Sequence, residues 1–504
     1  MLVVAELLLQ GLTEVLTPPN LMAITLGVVA GIVLGAFPGL DSTVGAALFI
    51  PVTYGMSATQ ALLLLAALYG GAVYAGQIPA ILFRIPGASE AVVTTLDGYA
   101  MARKGQAGKA LGVGLVTSLL GGLFGVTTLI LLAPLLANVA LRFGPAEYFA
   151  LGVLGLTAIA GLSGRSITKA VISALIGLLL ATVGIDPITG VARFTFGQSM
   201  LLSGVSFIPA VIGLFAVAEV FKQASRPQVV RALDETELRT GRRLRVELPS
   251  LGELRRMAGL IARSAVIGAW VGILPGVGAT TAAIVGYSQA VRLSREPDKF
   301  GTGVPEGLAA SETANNAAVG GAMVPLLALG IPGSATTAVM LGAFLMHGLK
   351  AGPLFLVQQE RLAFTLFVGM GVATLLIFPF ALLAVRPFVA LLRIPYPMLA
   401  AGILAFSAVG ARAMGDLYGI LMMFCFAVLG YLLERYGFPV APLVLGLVLG
   451  RIVETSLRRA LIIAAYDPWM VVSRPITAVL LVLSVLSVAV PAWTRYRTRR
   501  AAEK

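Results

Sequence analysis

Apolar runs of about twenty residues follow one another almost from end to end of this chain, and that succession leaves few folds open. They lie roughly at 21–36, 44–80, 110–136, 146–161, 168–184 and 200–221. They resume at 264–290, 308–346, 362–392, 398–411, 416–433, 439–450 and 473–493. Some are short for a straight span, whereas 44–80 and 308–346 have room for two passes or a re-entrant hairpin. With 58% hydrophobic and only 12% charged residues, the 504-residue chain is no ordinary soluble domain. The expected fold is an all-α polytopic membrane protein with about 10 to 14 crossing or re-entrant segments.

The remaining composition closes off other classes. One cysteine, Cys425, excludes an internal disulfide, and one histidine, His347, argues against a His-based metal site or a Ser-His-Asp triad. No P-loop signature occurs, and no ligand set for haem, iron–sulfur or zinc, so no cofactor is expected. The net charge of +13 sits between apolar runs, as in cytoplasmic loops, and does not indicate nucleic acid. The start, MLVVAELLLQ, has no basic n-region, so insertion as an uncleaved multi-pass protein of the inner (cytoplasmic) membrane is expected. These features divide the chain into a first membrane unit (1–221), a basic cytoplasmic connection (222–263), a second membrane unit (264–460) and a final helix with a basic tail (461–504).

The two membrane units echo each other. GIVLGAFPGLDSTVGAA from Gly31 aligns with GAWVGILPGVGATTAAI from Gly268, placing Pro38, Gly39 and Thr43 on Pro275, Gly276 and Thr280. GGAVYAGQIPAILFRIPGAS from Gly70 aligns with NAAVGGAMVPLLALGIPGSA from Asn316, placing Pro86 and Gly87 on Pro332 and Gly333. Two Pro-Gly sites in the same order imply an internal duplication, the construction of many secondary transporters. The basic MARKGQAGK loop and its nearly uncharged counterpart near Lys350 favour inverted repeats, although Arg451, Arg458 and Arg459 would then lie outside.

A Pro-Gly break at membrane depth frees peptide groups that must face protein or water. The half-helix after each break offers N–H groups and a positive dipole end to an anion. Ser42 and Thr43 follow one break, Ser89 another, Thr280 a third, and Ser334, Thr336 and Thr337 a fourth, adding hydroxyl donors. Carbonyls before the breaks, with Asn315 and Asn316, suit a small cation. Asp41 either binds that coupling cation or caps the next half-helix. Glu312 in SETANN either joins a proton or cation site or starts a helix at the interface. Arg84, the first basic residue of the chain, meets a substrate carboxylate or pairs with Glu90, six positions on. Asp97 reads as shaping a cytoplasmic turn and His347 as ending a helix.

The segments GAFPGLDSTVG, YGGAVYAGQIPAILFRIPG, LDGYAMARKGQAGKALG, EGLAASETANNAAVGGAMVPLLALGIPGS and HGLKAGPLF resemble the large permease subunit of the tripartite tricarboxylate transporters, from about Gly27 to about Arg459. The resemblance implies a bacterial secondary carrier for di- or tricarboxylates such as citrate, coupled to sodium or protons and working by alternating access. It also implies two partners, a small membrane subunit of about four spans and a periplasmic solute-binding protein. A homo-oligomer stays open. It places Gly39, Ser42, Thr43, Pro86, Gly87, Asn315, Asn316, Pro332, Gly333 and Ser334 at or near the binding region. Arg84 departs from the small polar residue expected before Ile-Pro-Gly, which leaves the particular carboxylate unnamed. A polytopic enzyme and a passive anion channel are the alternatives. Neither suits a chain with so few nucleophiles and with dispersed, duplicated breaks. If Arg84 reads the substrate, Arg84→Asn shifts preference among carboxylates while folding stays intact; identical uptake of every carboxylate by both proteins would reject that role.

Overall fold

The computed structural model describes residues 2–162, 166–225, 245–391 and 396–502. The first part runs α1 (Leu2–Val15), α2 (Pro18–Ala36), α3 (Ser42–Phe49), α4 (Ala58–Ala75), α5 (Gln77–Phe83), α6 (Thr94–Arg103), α7 (Ala107–Ala140), α8 (Pro145–Leu162) and α9 (Ile167–Ala181). A short antiparallel hairpin follows, β1 (Gly184–Ile185) with β2 (Ala192–Arg193). Helix α10 (Phe207–Ala224) contains a π turn at Ile212–Val217. The second part runs α11 (Leu251–Ile273), α12 (Gly278–Leu293), α13 (Pro305–Leu329), α14 (Ala335–Met346), α15 (Pro353–Gln358), α16 (Glu360–Leu391), α17 (Tyr396–Arg435), α18 (Val440–Ile463), α19 (Pro468–Val472) and α20 (Pro475–Ala502).

Among the described residues, nine helices are long and apolar enough to cross a membrane, and shorter apolar helices occupy Ser42–Gly55, Ile167–Ala181, Ala335–Met346 and Pro475–Pro491. The protein is all-α and polytopic, and the number of apolar segments agrees with the expected range. Both long apolar runs are indeed subdivided. The run 44–80 contains α3, a 3₁₀ turn, α4 and the start of α5, and 308–346 is α13 and α14 on either side of the Gly330–Gly333 corner. The runs 398–411 and 416–433 form the two arms of α17, and the chain doubles back between them. A Cβ on Gly419 would lie 2.2 Å from the Ala411 carbonyl oxygen, where a straight helix would separate the two residues by roughly 12 Å. The charged stretch 226–244, the middle of the expected connection, lies outside the described residues. Helix α11 already begins at Leu251, fixed by a capping box in which Ser250 Oγ accepts from Glu253 N at 3.2 Å and Glu253 accepts from Ser250 N at 2.9 Å.

Glycine positions set how the long helices meet. Gly27, Gly31 and Gly35 recur every fourth residue along α2 and put its backbone on the carbonyls of Leu64, Leu68 and Ala72 in α4. Gly268 and Gly272 of α11 sit in the same way on Ala314 and Ala318 of α13. Gly121 and Gly125 of α7 rest on the other side of α13, at Thr313 and Ala317. Helix α13 is thereby enclosed, and Gly307 to Ala328 are buried despite their polar side chains. Contacts of this closeness are made by dispersion and weak Cα–H···O interactions, which only a residue lacking Cβ permits.

The aligned positions of the two parts make corresponding contacts. Phe37 N donates to Leu34 O at 3.0 Å, and Leu274 N to Val271 O at 3.2 Å. Ile85 N reaches Pro79 O at 3.4 Å, and Ile331 N reaches Pro325 O at 3.2 Å. Gly87 packs on the Gly35 carbonyl and Gly333 on that of Gly272.

A methyl group added at these seams has no room. Gly35→Ala, whose Cβ would stand 2.2 Å from Ala72 O, is expected to lower stability by about 1–3 kcal/mol. Gly259→Ala, on α11 with open space around it, is expected to gain up to about 1 kcal/mol. Denaturation of the purified protein in detergent tests the contrast, and equal effects at the two sites would refute the packing account.

Candidate functional site

Four helix interruptions define the site. After α2 the chain turns at Gly39 (φ +89°), and Asp41 caps α3 by accepting from Thr43 N at 2.9 Å and Val44 N at 3.0 Å. The corresponding turn after α11 uses Gly276 (φ +73°) and Gly278 (φ +68°). Helix α5 ends at Arg84 in the left-handed region (φ +58°), and α13 ends in the same conformation at Gly330 (φ +74°). Each of these two ends leads into Ile-Pro-Gly. Ser334 then caps α14, its Oγ accepting from Thr337 N at 3.2 Å while Thr337 Oγ1 accepts from Ser334 N at 2.8 Å. Several first-turn N–H groups expected to face an anion are therefore engaged by caps. The groups that meet across the site are hydroxyls.

Those hydroxyls join one half of the chain to the other. Thr336 Oγ1 lies 2.9 Å from Ser42 Oγ and 3.1 Å from Thr43 Oγ1. Ser89 Oγ lies 2.9 Å from Thr280 Oγ1. Tyr69 OH, fully buried on α4, lies 3.2 Å from Ser334 Oγ. The first break of each half thus touches the residues after the second break of the other.

Between the two hydroxyl pairs sits a carboxylate. Glu90 is buried, accepts from Ser89 Oγ at 3.0 Å and is 3.5 Å from Ser42 Oγ. A second carboxylate, Glu312, is completely buried two turns inside α13. It accepts from Thr94 Oγ1, from Ser118 Oγ at 3.3 Å and from Asn315 Nδ2 at 3.3 Å. Gln77 Nε2 extends this network by donating to Ser118 at 3.2 Å, and its carbonyl oxygen is buried without a partner. Among the described residues, neither Glu90 nor Glu312 forms an ion pair with Lys or Arg. A buried carboxylate without a countercharge is costly unless a proton or cation joins it. Both positions therefore suit coupling chemistry.

The expected residues divide clearly. Ser42, Thr43, Ser89, Thr280, Ser334 and Thr336 come together, with Gly39, Pro86, Gly87, Pro332 and Gly333 shaping the corners that carry them. Asn315 and Asn316 belong to the Glu312 network, where Asn316 Nδ2 donates to Asn315 Oδ1 at 2.8 Å. Asp41 is a helix cap. Glu312 is not an interfacial residue at a helix start, because α13 begins at Pro305 and encloses it. Arg84 is exposed, 5.9 Å from the Tyr99 ring centroid, and is not paired with Glu90. Asp97 does more than shape a turn. It is fully buried and accepts from Gly301 N (2.9 Å), Gly303 N (2.8 Å), Val304 N (3.0 Å) and Tyr287 OH (2.9 Å), tying α6 to the approach to α13. His347 ends α14, as expected. Sequence reasoning missed Tyr69, Gln77, Thr94 and Ser118, and considered Glu90 only as a partner for Arg84. Their one signal was polarity inside apolar runs.

Interrupted helices between full spans, with unpaired buried carboxylates at their junction, define a polytopic membrane protein with an internal polar site. Comparison with known proteins agrees. Residues 21–445 match the tripartite tricarboxylate transporter TctA family. Similar proteins include one from Agrobacterium vitis described as an uncharacterized 52.8 kDa protein in the TAR-I ttuC' 3' region, 39% identical over 495 residues, or 97% of this chain and 96% of that protein. Another from the same organism, an uncharacterized protein in the TAR-II ttuC' 3' region, is 38% identical over 237 residues, covering 46% of this chain and 97% of that protein. No solved structure matches. The chain belongs to the TctA family, a family of transporters and not of enzymes.

Thr336→Val removes the hydroxyl shared with Ser42 and Thr43 while keeping the side-chain shape. The lost hydrogen bonds are expected to cost about 1–3 kcal/mol of stability. Transport by the folded variant is expected to fall at least about tenfold; uptake at the wild-type rate would show that the cross-half contact is structural only.

Proposed function

We propose that this chain is the large membrane subunit of a binding-protein-dependent secondary transporter that imports di- or tricarboxylates by sodium or proton symport with alternating access. Family membership supports a tricarboxylate transporter permease that works with partner subunits. The observation that carries the finer reading is the reciprocal meeting of the four breaks, Ser42 and Thr43 with Thr336, and Ser89 with Thr280. Hydroxyls converging from opposite halves make a donor-rich cradle for a carboxylate, and interrupted helices at a junction of halves are where such carriers hold substrate. The matching contacts of the two halves support an internal duplication, and we read it as inverted.

Coupling would lie beside the cradle. Glu312 with Asn315, and Asp41 at the cap of α3, are the candidate groups for the coupling ion. A pocket of about 180 Å³ lies beside the Gly330–Ile331 corner, lined by Tyr148, Lys350, Gly352 and Ile452. In this reading the partners are a small membrane subunit of about four spans and a periplasmic solute-binding protein that delivers the carboxylate, and the assembly resides in the bacterial inner membrane.

The reading is tested by reconstituting the chain with both partners in vesicles and following labelled citrate and C4 dicarboxylates. Uptake is expected to need the binding protein and to collapse when the sodium and proton gradients are dissipated. Accumulation that persists without either gradient would overturn symport, and downhill flux without the binding protein would favour a channel.

A further inference from the structure

We propose that Glu90 is the acid that takes up the coupling proton, and that it shares this proton with a carboxylate of the bound substrate. The inference rests on the cradle described above and goes beyond the Asp41, Glu312 and Asn315 candidates. Glu90 stands on the third residue after Pro86-Gly87, the place that Thr336 occupies after Pro332-Gly333. Thr336 spends its hydroxyl on Ser42 and Thr43. Its counterpart brings a carboxylate into the same ring, with one oxygen on Ser89 and the other facing Ser42. A ring of hydroxyls built to receive an anion therefore already contains one.

Like charges in one desolvated site cannot both remain ionised, so one proton must be shared when a second carboxylate enters. Among the described residues, no Lys or Arg forms an ion pair with Glu90. Ser42 of α3 faces it, α12 with Thr280 and α13 with Glu312 pack on its segment, and Asp41, the cap of α3, interacts with it electrostatically. Tyr69 on α4 completes the group. Asp41 and Glu312 carry the same sign as Glu90. Tyr287 of α12 is bound to Asp97, and Arg292 lies in the last turn of that helix. Lys222 is engaged with Glu219 and Glu434, beside Asp41 and not Glu90. On its own segment, Arg84 lies over Tyr99, and Arg103 is in the last turn of α6.

The ion follows from how the carboxylate is already bonded. Hard metal cations need several oxygen lone pairs turned toward them, whereas the Glu90 oxygens accept hydrogen bonds from Ser42, Ser89 and the Glu90 backbone N–H. A proton needs a single acceptor. Exposed Ser89 lies at the cradle's open side, next to buried Glu90, and gives water a path to the carboxylate. On binding, a proton from water forms an O–H bond on a Glu90 oxygen, and that O–H donates to the substrate carboxylate. On release the same proton returns to water, so charge and atoms balance over the cycle.

The test uses the purified full-length chain and isothermal titration with citrate and a panel of C4 dicarboxylates, in buffers of different ionisation enthalpy, above the ligands' own highest pKa. Wild type is expected to take up about one proton per ligand bound, and its affinity to fall about tenfold per pH unit in that range. Glu90→Gln, with a neutral amide in place of the acid, is expected to bind with no proton uptake and a flat pH profile. Wild-type binding without proton uptake, or with uptake replaced by a sodium requirement, would overturn the proposal. So would a Glu90→Gln protein that keeps the wild-type slope. The wild-type proton count decides alone if the variant does not fold. Wild type binding none of these ligands would overturn the cradle reading and this inference together.

Discussion

A membrane interior has no water to satisfy a polar group, and every feature of this site follows from that constraint. Where a helix is broken between apolar spans, its loose peptide groups and the hydroxyls around them need partners of the protein's own. Here the partners are supplied in two ways. Asp41 and Ser334 cap the half-helices locally, and Ser42, Thr43, Ser89, Thr280 and Thr336 find one another across the two halves. The second solution forces the halves together at a polar point.

The glycine seams make such a junction stable. With Gly31 and Gly35 on α4, and Gly268 and Gly272 on α13, each broken helix is held against its partner at backbone distance just before it turns. Gly87 and Gly333 then pack the following corner onto the Gly35 and Gly272 carbonyls. Each broken helix therefore has little room to shift against the helix it is seated on. The halves meet in two ways, through the hydroxyl contacts, worth about 1 kcal/mol each, and along the close seam of Gly121 and Gly125 of α7 on α13.

Much of this was legible from residue order. Proline, glycine and the apolar runs determine where helices can and cannot continue, so the breaks and the subdivided regions 44–80 and 308–346 were accessible to local reasoning. Placement of polar side chains was not. Whether Glu312 starts a helix or lies two turns inside one depends on Pro305 opening α13, a boundary that local composition specifies poorly. Glu90 was masked by the nearer and more unusual Arg84, because chain proximity suggested a pair that the left-handed turn at Arg84 separates. Gln77, Thr94 and Ser118 carry no local motif at all. They become a group only when α5, α6 and α7 converge on α13.

The two halves are most informative where they stop matching. In a perfect duplicate, Gly330 would have a glycine opposite it and Thr336 a threonine; the first half has Arg84 and Glu90 instead. Both replacements run against local economy. A left-handed conformation costs a non-glycine residue about 1 kcal/mol or more, and an unpaired carboxylate is among the least comfortable groups to bury. Residues held against such costs cluster at functional sites. The matched corners are thus least alike at an exposed arginine, Arg84, and a buried acid, Glu90.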